Sequence, residues 1–133
     1  MGTYYQVVNY DKHEVIDLFE VTNIKAGAFE AWSLQTAILN TFLGFSWRGE
    51  LSWPEWTGRW AGDRIEIQND ATVYPPGKDT DEGDWPDAGM MFLSDLKRRG
   101  VLQRWIDRVM WSQYWEGMQG NRGLEKWEEE QRK

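Results

Sequence analysis

The sequence predicts an α+β domain, a small antiparallel sheet covered by helices, and three observations lead there. Residues 3–10 (TYYQVVNY) form a β-branched and aromatic run. Residues 24–43 place apolar side chains at helical spacing, and residues 64–68 (RIEIQ) alternate polar and apolar before a C-terminal third that is helical in period. The elements read β-β-α-β-β-α-α, about four strands in two hairpins under three helices. At 133 residues the chain is one domain's worth, divided here into a body at 1–123 and a charged tail at 124–133, with a frayed helix as the alternative for the tail.

Each element has its local reason. The first strand ends at the polar break Asp11-Lys12-His13, and Val15, Ile16, Leu18, Phe19 and Val21 suggest its hairpin partner, with a short helix as competitor. Asn23 is of a residue type that caps helices, and a helical period begins directly after it. Ile24, Ala28, Ala31, Trp32, Ile38, Leu39, Phe42 and Leu43 share one broad face of a helical wheel, with Glu30, Ser33, Thr36 and Asn40 opposite; Gly44 is a natural stop. Residues 45–62 are punctuated by Gly49, Pro54, Gly58 and Gly62, which predicts turns with at most a short helix near 54–60. Asn69-Asp70 supplies a turn, residues 71–74 a returning strand, and residues 75–89 an exposed acidic loop. A short helix from Pro86-Asp87 to Gly100 and a longer one from Val101 to Trp115 complete the body.

Composition narrows the function. Fifteen basic against 22 acidic side chains give a net charge of −7, which opposes direct binding to nucleic acid or to an anionic membrane. Residues 94–124 run the other way, six basic against three acidic, or +3. With no cysteine there are no disulfides, thiolate metal sites or cysteine nucleophiles. The N-terminus lacks a secretory pattern and no apolar run reaches the ~18–20 residues of a bilayer span, so a cytoplasmic location is expected. Ten tryptophans stand out. At about 150–250 Å² each they hold roughly 2,000 Å² of apolar surface, and the sequence predicts that some of these rings reach the exterior.

Enzyme signatures fail on spacing. Gly77-Lys78 is followed by Asp79 where a phosphate loop needs a hydroxyl, no dinucleotide-binding glycine pattern occurs, and a single histidine cannot form a two-histidine zinc helix. Residues 79–84 lack the glycine and glutamate of a calcium loop. No cofactor or metal is expected. Asp11, Lys12, His13 and Glu14 juxtapose acid, base and cation, which suits either a general acid–base site, with Asp63 as a further acid, or a polar hairpin turn.

Two constellations are candidate binding surfaces. Trp53, Trp56 and Trp60 lie three and four residues apart, interleaved with Arg59, Asp63 and Arg64. On one face they would form a stacking platform for a sugar or nucleotide; otherwise they plug the sheet's open end, with Arg59 lying on an indole. On the last long helix Arg104, Arg108, Trp111 and Trp115 fall at i, i+4, i+7 and i+11, a cationic-aromatic stripe behind the apolar face of Val101, Leu102, Trp105, Ile106, Val109 and Met110. Trp and Arg are enriched at interface hot spots, so the stripe is a candidate partner surface, or else packs beneath the C-terminal tail.

At Met1-Gly2-Thr3-Tyr4-Tyr5, Asp11-Lys12-His13-Glu14 and residues 58–67 (GRWAGDRIEI), the chain resembles a type of small uncharacterised protein of prokaryotic and viral genomes. The resemblance implies a phage or viral context and no particular chemistry. The resulting expectation is a small acidic, non-enzymatic protein that docks an aromatic-rich surface on a protein partner, in the host cytoplasm if viral. Inhibition of a host nucleic-acid-binding or defence protein is one such role, because an acidic surface can occupy a basic groove. Homo-oligomerisation through the same stripe is an alternative use of it.

Overall fold

The computed structural model describes residues 5–18, 21, 28–46, 53–69, 85–110, 112–117 and 119–133. Three strands, β1 (Tyr5–Asn9), β2 (Glu14–Ile16) and β3 (Ile65–Asn69), accompany five helices: α1 (Ala28–Leu43), α2 (Ala88–Arg98), α3 (Leu102–Val109), α4 (Ser112–Gly117) and α5 (Gly120–Gln131). The α+β class holds; among the described residues there are a three-stranded sheet where four strands were expected and five helices where three were.

The sheet order is β2-β1-β3, antiparallel throughout. The expected first hairpin is present, Asn9 facing Glu14 and Val7 facing Ile16, with His13 at φ 56° closing the turn. The second half of the sheet differs. β3 pairs directly with β1, Val7 opposite Ile67 and Asn9 opposite Ile65, so β1 is central and the topology is not two separate hairpins. Residues 71–74, expected as a fourth strand, lie outside the described residues. β2 also stops early. Leu18 adopts φ 60°, and its N–H donates to Asp87 Oδ2 at 2.8 Å instead of continuing a ladder. The same carboxylate caps α2 by accepting from Met90 N at 3.2 Å. Burial, then the nearby Asp17 carboxylate, push Asp87 up to about 7, against the backbone N–H groups of Leu18, Met90 and Asp17 that favour its charged form.

α1 buries Ile38, Leu39 and Phe42 of its predicted face, together with Leu34, whereas Leu43 at its end is exposed. It ends at Gly44 (φ 126°), where Phe45 N donates to Asn40 O at 2.9 Å and Gly44 N to Thr41 O at 3.1 Å, the two bonds of a Schellman cap. Phe42 and Phe92 are the hubs of the core. Phe42 stacks on Trp56 and meets Trp60 edge-on at 5.1 Å, while Phe92 meets Trp53, Trp56 and Trp105 edge-on at 5.2–5.9 Å.

The single helix expected over 101–115 is two. Met110 is extended (φ −158°, ψ 166°) and separates α3 from α4. The cause is rotational: in one straight helix Trp115 would lie about 140° from the mean of the Leu102–Trp105–Ile106 face at ~100° per residue. Turning the chain at Met110 buries both Met110 and Trp115. The last ten residues, read as a charged tail or a frayed helix, belong mostly to α5, which packs on α2 with Leu124 fully buried. Gly120 is required there, because a Cβ would stand 2.3–2.5 Å from the Trp115 ring.

Candidate functional site

Residues 53–63 form successive tight turns, with N–H groups donating three residues back, as from Arg59 to Trp56 and from Asp63 to Trp60. This segment is pinned to the end of α1, where Gly58 N reaches Thr41 O at 2.9 Å and Trp60 N reaches Phe42 O at 2.8 Å. Carbonyls that a helix C-terminus leaves unpaired are satisfied in this way. Arg59, Asp63 and Arg64 are thereby brought beside the β1–β2 turn, where the sequence clusters Asp11 to Glu14.

The charges there meet in pairs. Arg64 donates from Nε and Nη2 to Asp11 Oδ1 at 3.0 and 2.9 Å. Lys12 Nζ lies 2.5 Å from Asp63 Oδ2, which also accepts from Asn9 Nδ2 at 2.9 Å. The Arg64 backbone N–H and guanidinium hold Asp11 below the usual carboxylate range, and Lys12 with Asn9 does the same for Asp63. Both acids thereby brace the turn, Asp11 through Arg64 and Asp63 through Lys12 and Asn9. His13 stacks flat on Trp85, with ring centres 4.5 Å apart. Deeper in, Glu14 is buried and accepts from Arg59 Nε at 3.1 Å, Arg59 Nη2 at 2.5 Å and Trp60 Nε1 at 2.7 Å.

The platform expected from Trp53, Trp56 and Trp60 is corrected by burial. The three rings do converge, but inward, onto Phe42 and Phe92, and all three are core residues. Arg59 lies over Trp56 at 5.1 Å, as the packing alternative anticipates. The stripe Arg104, Arg108, Trp111 and Trp115 is also not assembled. Arg104 and Arg108 are on the exposed side of α3, whereas Trp115 is on α4, buried, with Nε1 donating to Asn121 Oδ1 at 3.2 Å. Trp111 lies outside the described residues. The break at Met110 removes the shared axis that would have aligned them.

A groove of about 510 Å³ between α2 and α5 was not foreseen. Trp56, Met91 and the half-buried Trp127 supply its apolar wall. Asp95, Lys97, Arg98 and Glu128 also line it. Asp95 accepts from Trp56 Nε1 at 2.8 Å and from Arg99 Nε at 2.8 Å, and pairs with Arg98. Glu128 accepts from Ser94 Oγ at 2.7 Å and from Lys97 Nζ at 2.6 Å. Burial raises both carboxyls, but these donors outweigh it and hold the two acids low. The signal available in sequence was Leu124 and Trp127, three apart among charges, an apolar stripe on what composition reads as a solvated tail.

Among the described residues no three His, Asp or Glu side chains come together as metal ligands, and no helix is long and apolar enough to cross a membrane. No family model, curated protein or solved structure matches the chain.

Proposed function

We propose that this chain is a small acidic, non-enzymatic interaction protein, of phage or viral context, that docks an aromatic-lined surface on a protein partner. The observation that carries the reading is the α2–α5 groove. It joins two indoles, a methionine and an arginine, the residue types enriched at the centres of protein interfaces. The lining charges Lys97–Glu128 and Arg98–Asp95 are already paired within the chain, so a partner can cover them without stranding an isolated charge. The net charge of −7 suits a partner with a basic surface, including one that otherwise holds nucleic acid.

The test is affinity capture from a prokaryotic lysate with the wild type, Trp127→Ala and the Arg104→Ala/Arg108→Ala pair, each checked for folding by circular dichroism. Specific partners should be lost with Trp127→Ala and kept by the arginine pair. Equal recovery by Trp127→Ala removes the groove from consideration, and light scattering identifies the case in which the partner is a second copy. A sugar or nucleotide in the same groove is the second reading, favoured by a volume within the ~300–1,000 Å³ range of small-molecule sites. Quenching or a shift of tryptophan emission on titration, lost in Trp127→Phe, distinguishes it.

A further inference from the structure

We infer that a second cavity, between α1 and the end of α3, is a binding site for a neutral polyhydroxylated ligand such as a sugar ring. The cavity measures about 430 Å³, and its wall includes Ser33, Thr36, Asn40 and Phe45 with Ala37 and Val109. It shares no described lining residue with the α2–α5 groove, so this inference stands apart from the protein-docking reading.

The chemistry of the lining selects the ligand class. Ser33, Thr36 and Asn40 are spaced three and four apart and share one face of α1. A polyol needs partners that both donate and accept, because each of its hydroxyls does both. Ser, Thr and Asn side chains meet that need, whereas carboxylates only accept and Lys or Arg only donate. None of the described lining residues is charged, although 28% of the chain is. A phosphate would find no cation among them and would face a molecule of net charge −7.

Phe45 supplies the apolar contact. Its side chain is 52% exposed and forms part of the cavity wall. An aromatic face beside a row of hydroxyl and amide groups is complementary to a pyranose, which has an apolar C–H face and a polar rim.

The experiment is a titration of the full-length protein with glucose, galactose, N-acetylglucosamine and ribose, followed by ¹H–¹⁵N correlation spectra, with glucose 6-phosphate as the charged comparison. At least one neutral sugar should shift the Ser33, Thr36, Asn40 and Val109 amides in a saturable way, more tightly than the phosphorylated sugar. Asn40→Ala should weaken that binding about tenfold, and Ala37→Leu, which fills the cavity, should abolish it. Trp127→Ala should leave it unchanged. The inference is overturned if no neutral sugar gives saturable shifts at millimolar concentration, if the phosphorylated sugar binds best, or if binding survives in both Asn40→Ala and Ala37→Leu.

Discussion

Replacing Glu14 by Gln keeps the shape of the side chain and removes its charge, and the structure gives the consequence in some detail. One amide oxygen can still accept from Trp60 Nε1, now at 2.7 Å, and from Arg59 Nε. The amide nitrogen, however, takes the place of an oxygen that lies 2.5 Å from Arg59 Nη2, so two donors face each other. Arg59 also loses its counterion. Its side chain is 27% exposed, which lets water recover part of the loss. Breaking a fully buried pair costs about 3–5 kcal/mol, and charged hydrogen bonds are worth about 1.5–3 kcal/mol each, so a partly wetted pair should cost about 2–3 kcal/mol. At roughly 3–5 °C per kcal/mol for a chain of this size, the melting temperature should fall by about 6–15 °C. Urea denaturation with unchanged m-value is the assay. Arg59→Met in the Glu14→Gln background should recover part of the stability, since it removes the stranded cation and keeps an apolar chain over Trp56. A loss below about 0.5 kcal/mol, the size of an exposed pair, would refute the view of Glu14 as an enclosed node.

Gly120→Ala should destabilise by about 2 kcal/mol despite alanine's better helix propensity, because its Cβ would overlap the Trp115 ring; Trp115→Leu in the same chain should relieve most of that, as read in a double-mutant cycle. Trp60 and Trp105 are both fully buried, but Trp60 Nε1 is bonded to Glu14 while Trp105 Nε1 has no partner among the described residues. Trp60→Phe should therefore cost about 1–2 kcal/mol more than Trp105→Phe in thermal unfolding, and equal costs would show that the Glu14 bond contributes nothing. Asp87 binds its proton more tightly folded, at about 7, than unfolded, near 3.8, so its stabilising contribution is complete below pH 4 and is lost as pH rises through 7. Asp87→Asn, which preserves a capping side chain, should flatten the fall in stability between pH 4 and 8, while the loss of stability below pH 4 from Asp63, Asp95 and Glu128, all held low, should persist.

Local patterns account for the part of the fold that was legible in the sequence. The wheel of α1, its stop at Gly44, the first hairpin and the turns over 53–62 each depend on residues within a few positions of one another, and each is found. The departures share a different cause. The pairing of β3 with β1 joins residues about sixty apart, and no alternation in either strand specifies which neighbour it takes. The break at Met110 is set by where Trp115 can find cover, and that cover is Gly120 on the next helix. Similarly, the groove needs Trp56 from a turn and Trp127 from the C-terminal helix, which no spacing rule connects.

The tryptophan count itself is the most instructive case. Ten rings in a small chain suggest an excess that must surface, yet of the seven whose side chains are described, five are buried and two, Trp85 and Trp127, are half-buried. The reason is that Phe42 and Phe92 let indoles pack edge-on around them, so one compact cluster absorbs Trp53, Trp56, Trp60 and Trp105 without separate pockets. Trp85 is partly covered by His13 and Tyr10. The docking reading thus rests on far fewer rings than composition suggests, with Trp127 the one half-buried indole among the described residues of the groove. Interfaces concentrate their energy in a few anchors, and a single half-buried indole beside Met91 and paired charges has that character. Trp127→Ala alone should therefore abolish partner binding, whereas a surface built from many shallow aromatics would lose affinity only gradually as rings were removed one at a time.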